Sequence, residues 1–209
     1  MKPLRLMVYD RTCGALTTSW WLGGHLSRAL GRLDDRAGFD RWPDALRWLR
    51  DRSCAEGRPI GEIQYWGHGH PGLVRMAGER LDRSALSPGH PLFQDLEALR
   101  DHLAPGGQAL FWFRTCETFA GPEGHAFARA WTRFFSARAA GHTFIIGPLQ
   151  SGLHVLDPSG EPDWPLDEGG HVWSSLRAPA TISFLHGTVT PGPWAGSGAG
   201  PERPRRRRP

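Results

Sequence analysis

Short apolar runs separated by helix-forming segments set the pattern of this chain. The clearest run, Ala109–Phe113, holds five consecutive apolar residues and follows the turn-forming Pro105-Gly106-Gly107. Such a run is typical of a strand buried on both faces of a parallel sheet. Comparable runs predict strands over Leu4–Tyr9, Ile60–Trp66 and His142–Gly147, while the more polar Asp34–Phe39 is expected to be an edge strand.

Between these runs, apolar residues recur at three- and four-residue spacing, which predicts helices with one buried face. In the first helix that face comprises Trp20, Trp21, His25, Leu26, Ala29, Leu30 and Leu33. Further helices are predicted over Asp44–Arg52, Pro91–Leu103 and Glu123–Arg138, and a small hairpin around Ala77-Gly78. Alternating strands and helices predict an α/β fold, a three-layer α/β/α sandwich with a mostly parallel central sheet.

The last fifty residues carry weaker signals. After a turn-rich stretch from Asp157 to Gly170, His171–Leu176 and Ala180–Leu185 could form a terminal strand pair. Pro191–Pro209 combines Gly, Pro and Ser with an arginine run, which is typical of a disordered tail. We therefore expect one domain over residues 1–190 and a tail over residues 191–209.

The charge of the chain resides in that tail. The formal net charge is +4, but the residues from Glu202 onward hold five arginines and one glutamate, so the remainder holds 20 basic and 20 acidic residues. A neutral body does not favour nucleic-acid binding by the fold, which leaves the arginine tail as the one segment suited to it. A short basic run is more often simply solvated.

Composition also bears on location and redox state. No run of about 18 apolar residues occurs, and the N-terminus lacks the apolar core of a signal peptide. We therefore expect a cytoplasmic protein without a membrane partner.

The three cysteines, Cys13, Cys54 and Cys116, are odd in number and widely spaced, which favours reduced thiols over a disulfide framework.

Two side chains at strand ends are candidates for chemistry. Cys116 lies just after the Ala109–Phe113 strand, and His68 follows the Ile60–Trp66 strand. Ligands of open α/β sheets bind outside the carboxyl ends of the strands. A thiol becomes a strong nucleophile when a base removes its proton, and the histidine of caspases lies roughly 50 residues before the cysteine. The sequence therefore predicts a Cys116–His68 dyad.

The motifs around these residues resemble the caspase-like cysteine peptidases, the group that includes caspases, gingipains, legumain and separase. GlyHisGlyHisProGly and PheTrpPheArgThrCysGluThr are most similar to the caspase-like domain of unknown function near the N-termini of large bacterial repeat proteins. The similarity covers about residues 4–160. It implies hydrolysis of a protein or peptide substrate by Cys116 and His68 without a cofactor, and an oxyanion hole from the backbone N–H groups of Gly69 and Cys116.

By analogy, substrate preference in this class comes from loops at the carboxyl edge of the sheet. Asp10 and Glu117 would favour a basic residue in the substrate, and Arg11 an acidic one. The caspase signature GlnAlaCysXGly is absent, so a preference for aspartate is not implied. Arg114 either faces the cleft and lowers the pKa of Cys116, or forms a salt bridge outside it. The expected substrate-binding set is Asp10, Arg11, Thr115, Glu117, Gln150 and Ser151.

Three alternatives to a peptidase stay open. Cys116 could be a small buried hydrophobe of the core. The chain could be a catalytically inactive caspase-fold module that binds a protein through the same cleft. It could also be a metal-dependent hydrolase using His68 and His70, although no third ligand follows at metal-binding spacing, and His70 could equally line the cleft. The sequence does not indicate an oligomeric state.

Overall fold

The computed structural model describes residues 1–175 and the backbone of residues 180–183. The strands are β1 (Leu4–Asp10), β2 (Asp35–Phe39), β3 (Ile60–Trp66), β4 (His68–His70), β5 (Leu73–Met76), β6 (Glu79–Asp82), β7 (Leu110–Arg114), β8 (Arg138–His142), β9 (Leu149–Ser151), β10 (Leu153–Leu156) and β11 (Ala180–Ser183). The helices are α1 (Ala15–Ala29), α2 (Trp42–Glu56), α3 (Phe93–Arg100) and α4 (Gly121–Phe135), with a 3₁₀ turn over Arg83–Leu86.

Six strands form the central sheet, in the order β10-β8-β7-β3-β1-β2. Five of them are parallel, and β10 pairs antiparallel with β8 at one edge. Beside this sheet, β4, β5 and β6 form a three-stranded antiparallel sheet, and β9 pairs with β11. The predicted fold class, an α/β sandwich with a mostly parallel sheet and β2 as its edge strand, is confirmed.

The two faces of the central sheet alternate along each strand. On β7, Phe111 and Phe113 join the large core against α2, α3 and α4, whereas Leu110 and Trp112 belong to a separate, smaller cluster on the opposite face. Helix α4 supplies most of the aromatic packing to the large core. Its Trp131 lies edge-on to both Phe111 and Phe113, with ring centroids 5.4 Å and 5.2 Å away.

Helix α1 corrects the predicted apolar face. The residues that α1 buries are Gly23, Gly24 and Ser27. A Cβ on Gly24 would lie 2.8 Å from the Met7 sulfur, so a larger residue here would force the Met7 side chain or the helix to move. Trp20 and Leu33 pack against the sheet as expected. The other predicted positions, Trp21, His25, Leu26, Ala29 and Leu30, are exposed.

The predicted strand over His142–Gly147 is also wrong. Helix α4 ends at Phe135, because Ser136 adopts the left-handed conformation, and the strand that follows runs from Arg138 to His142. Its small residues suit a strand covered by a bulky side chain, since a Cβ on Gly141 would lie 2.4 Å from the Phe119 ring. The strand therefore ends where the sequence pattern predicts it to begin.

The end of the chain differs from the predicted strand pair. Ala180–Ser183 pairs antiparallel with β9, and residues 171–175 contribute only an isolated bridge between Trp173 and Ile145. Leu176, residues 184–185, the domain boundary at 190 and the tail Pro191–Pro209 lie outside the described residues. Among the described helices, none combines the length and the apolar character needed to cross a bilayer.

Candidate active site

The parallel pairing of β3 and β7 brings the two candidate residues to the same edge of the sheet. Trp66 and Arg114 are register partners at the carboxyl ends of these strands. His68 lies two residues beyond Trp66, and Cys116 two residues beyond Arg114. Both side chains line one cavity of about 340 Å³.

The walls of this cavity come from four parts of the chain. Besides the two strand ends, α1 contributes one wall and the segment after β8 contributes another. Of these two walls, the sequence pattern predicted the second through Gln150, whereas it did not predict the contribution of α1. The lining residues are Leu16, Ser19, Trp20, Trp66, Gly67, His68, Arg114, Cys116, Ile146, Gly147, Pro148 and Gln150.

Gly69 fixes the contact between the His68 and Cys116 segments. A Cβ at this position would lie 2.5 Å from the Cys116 carbonyl oxygen and 2.4 Å from the Thr118 hydroxyl. No side chain larger than hydrogen therefore fits without moving the backbone. Close packing here holds the start of β4 directly against the turn that carries Cys116.

That turn is held by hydrogen bonds from both of its sides. Glu117 has a positive φ of 54°, and its N–H donates to the Phe144 carbonyl (3.0 Å). The hydroxyls of Thr115 and Thr118 lie 2.5 Å apart. The backbone N–H of Cys116 interacts with the residue's own thiol, and it donates to no backbone carbonyl in the described part of the chain.

The thiol of Cys116 is largely enclosed and protonated at neutral pH. Burial raises its pKa, and the charge of Glu117 adds to this effect. The Cys116 thiol donates to the Ile146 carbonyl (3.7 Å) rather than to His68. The pKa of this thiol is therefore raised, and not lowered as was expected from a cleft-facing Arg114. Nucleophilic chemistry at Cys116 requires a base to take its proton.

His68 is the base nearest in the sheet register, and its ring is exposed on the cavity wall. The ring of Trp20 meets it edge-on, with the centroids 5.8 Å apart. Catalytic hydrogen bonds are often long in an enzyme without substrate and tighten when a substrate is bound.

Asp10 and Arg11 lie away from the cavity. Asp10 is buried and accepts hydrogen bonds from the N–H and hydroxyl of Thr12 (2.8 and 2.7 Å) and from the N–H of Ala77 (3.0 Å). Burial opposes its ionisation, but these hydrogen bonds outweigh that effect and lower its pKa. Arg11 is exposed and pairs with Asp40 at 2.9 Å. Asp10 therefore ties the end of β1 to the β5–β6 turn.

Thr115, Glu117 and Ser151 are buried framework residues. The Glu117 carboxylate accepts a hydrogen bond from the N–H of His171. Ser151 is enclosed, and its carbonyl lies 3.1 Å from Nδ1 of His142. Of the six residues predicted to bind substrate, the structure places one, Gln150, on the cavity wall.

Arg114 is the residue at this site that the sequence analysis left undecided. Its guanidinium lies over the rings of Trp66 and Trp112, 4.0 Å and 4.5 Å from their centroids. It donates to the side-chain oxygens of Gln150 (3.0 Å) and Gln64 (3.4 Å). In the described residues it forms no salt bridge, so of the two alternatives Arg114 takes the cavity-facing position.

A metal site is the remaining arrangement to consider. His68 and His70 are both exposed and lie two residues apart on β4. The described residues hold no cluster of three or more His, Cys, Asp or Glu side chains that could bind a metal ion.

Comparisons with known proteins add no assignment to this geometry. Neither a protein-family model nor a curated protein matches the chain.

Proposed function

We propose that this protein is a caspase-like cysteine peptidase that hydrolyses peptide bonds with Cys116 as the nucleophile and His68 as the acid and base. The observation that carries the proposal is the shared cavity: parallel strands bring both side chains to one wall, and Gly69 packs against the Cys116 carbonyl. The resemblance of the His-Gly and Cys motifs to caspase-like peptidases supports the same reaction.

The proposed reaction has two steps. His68 takes the thiol proton while the sulfur attacks the carbonyl carbon of the peptide bond, and the C–N bond then breaks as His68 gives that proton to the leaving amine. A thioester with Cys116 results. His68 next takes a proton from water, which attacks the thioester, releases the carboxylic acid and restores the thiol.

In both steps a negative charge develops on the carbonyl oxygen. The N–H groups of Gly69 and Cys116 are the proposed donors to this oxygen. Removing one such donor in other enzymes costs about 10²- to 10³-fold in turnover. Gly69 suits the role because a side chain there would obstruct the substrate as well as the Cys116 turn.

Labelling by an acyloxymethyl-ketone peptide tests the proposal and has an internal control. Cys54 is exposed and its sulfur lies 4.0 Å from Nδ1 of His102, so the chain offers a second Cys–His contact. We expect Cys116 to label faster than Cys54, and we expect His68→Ala to slow Cys116 alone. His102→Ala is the matched control. Equal labelling of the two thiols, unaffected by His68→Ala, would contradict the proposal.

One observation favours a second candidate, an inactive caspase-fold module that binds a protein. The pKa of the Cys116 thiol is raised by burial, and the thiol donates to a backbone carbonyl. Selective labelling of Cys116 argues against this candidate. A metal hydrolase using His68 and His70 is tested by metal analysis of the folded, labelling-competent protein.

A further inference from the structure

The floor of the cavity holds a positive charge that the described residues do not neutralise by contact. Arg114 is only 4% exposed, yet it lines the cavity that contains Cys116. Its partners are the uncharged side chains of Gln64 and Gln150 and the faces of two tryptophans. Its Nε is buried without a hydrogen-bond partner. A buried guanidinium in such surroundings costs free energy until an anion reaches it.

The acidic groups around Arg114 are already engaged or distant. The charge of Glu62 raises the pKa of Arg114 from a distance, but no ion pair joins the two in the described residues, and the Gln64 amide donates to the Glu62 carboxyl at 2.6 Å. Burial raises the pKa of Glu62 to about 7, so this group is only partly ionised at neutral pH. Glu117 points to the His171 N–H instead. An acidic group that pairs directly with the Arg114 guanidinium is therefore not found in the described part of the chain.

The remaining lining of the cavity limits what can enter. Leu16, Trp20, Ile146 and Pro148 make its walls mostly apolar. A volume of about 340 Å³ is at the small end of ligand pockets, so the cavity suits one extended residue and not a folded partner. A ligand with an apolar stem and a terminal carboxylate matches this lining, because the stem contacts the apolar walls and the carboxylate meets Arg114.

We infer that this cavity selects an acidic side chain of the substrate, with the carboxylate bound by Arg114 and the stem lying between the apolar walls. The inference rests on the proposed function, because it assigns the substrate class of the same site. Gln64 and Gln150 position the guanidinium, and the two tryptophan rings hold it in one plane. Binding of the carboxylate then completes the hydrogen bonding of a group that is fixed before substrate arrives.

A shape-matched pair of substrates that differ in charge tests the inference without altering the protein. The probes are N-acetyl-Ala-Ala-Glu and N-acetyl-Ala-Ala-Gln coupled to aminomethylcoumarin, which differ in charge and hardly in shape. A hydrogen bond to a charged partner is worth about 1.5–3 kcal/mol. We therefore expect kcat/KM to be roughly 10- to 100-fold higher for the Glu substrate. Arg114→Gln should remove most of this preference, and Arg114→Lys should retain part of it.

Binding to an inactive variant separates failure of the inference from failure of the proposed function. Calorimetry measures the binding of N-acetyl-Ala-Ala-Glu-amide and its Gln counterpart to Cys116→Ala, with and without Arg114→Gln. Cleavage with no preference for Glu overturns the inference and leaves the peptidase intact. Selective binding of the Glu peptide without any cleavage by the native protein supports acid recognition and overturns the peptidase. Absence of both selective cleavage and selective binding overturns the inference.

Discussion

The two faces of the central sheet are built from different chemistry. On one face, Phe111 and Phe113 of β7 pack against the aromatic side chains of α4. On the other, Arg114 and Gln64 form part of a buried polar row that leads to the cavity. The same strands therefore carry the large aromatic core on one side and, on the other, charged, hydrogen-bonded groups beside a smaller apolar cluster.

This difference indicates that one face of the sheet contributes mainly to stability and the other mainly to activity. Aromatic burial contributes stability and tolerates no loss of volume. A buried polar row contributes little net stability, because each charge must first be removed from water. It does fix polar groups in a low-dielectric cavity, where they act strongly on a substrate. Substitutions on the two faces should consequently separate stability from activity.

Cys116→Ala should have the largest effect, and only on activity. We expect turnover of the fluorogenic Glu peptide to fall by at least about 1,000-fold, because the nucleophile is lost. The free energy of unfolding should change by less than about 1 kcal/mol, since the side chain is small and partly exposed. Residual turnover within tenfold of the native protein would place the chemistry elsewhere.

Trp131→Ala should affect stability most. Trp131 is 2% exposed and contacts four aromatic rings, so its truncation should cost about 3–5 kcal/mol in urea unfolding. The control substitution is Leu26→Ala in α1, on the opposite face of the sheet, where the side chain is 42% exposed. That change should stay within about 0.5 kcal/mol. Similar costs for the two variants would show that the outward face of α1 is in fact covered.

Gly69→Ala should combine a moderate loss of stability with a loss of activity. Its added Cβ clashes with the Cys116 carbonyl, so we expect a cost of about 1–3 kcal/mol together with reduced labelling of Cys116. Gly147→Ala is the control for the stability measurement, because nothing lies within 4 Å of a Cβ there. A Gly69→Ala protein with native stability and labelling would remove the argument for close packing at the turn.

Burial of His142 on the polar face should make the free energy of unfolding depend on pH. Burial lowers the pKa of His142 to about 3, so the unfolded chain binds a proton near pH 6.5 that the folded protein does not take up until about pH 3. The contribution of neutral His142 to the free energy of unfolding is therefore lost as the pH falls between these two pKa values. In His142→Asn this contribution is absent, so the difference in unfolding free energy between the native protein and the variant should shrink between pH 7 and pH 4. A constant difference would contradict the burial of a neutral imidazole.

Local sequence patterns were sufficient for the architecture and for the position of the candidate dyad. An apolar run fixes a strand, alternation with helices favours parallel pairing, and parallel pairing brings the ends of successive strands to one edge. His68 and Cys116 could therefore be assigned to one edge from the sequence. The same reasoning misplaced β8, because a strand of Ala and Gly carries no apolar signal and depends on the Phe119 ring that covers it.

What tertiary structure alone decided is the environment of each side chain. The leucines of α1 face outward because α1 turns Gly23, Gly24 and Ser27 to the sheet, with Gly24 close to Met7, and periodicity does not encode that distance. The sequence places Arg114 one position past an apolar run. Only packing sets it between two tryptophan rings, hydrogen-bonded to Gln64 and Gln150, because these groups come from β3, β7 and β9. Charge and burial at the site are properties of several segments together, and no single stretch of sequence contains them.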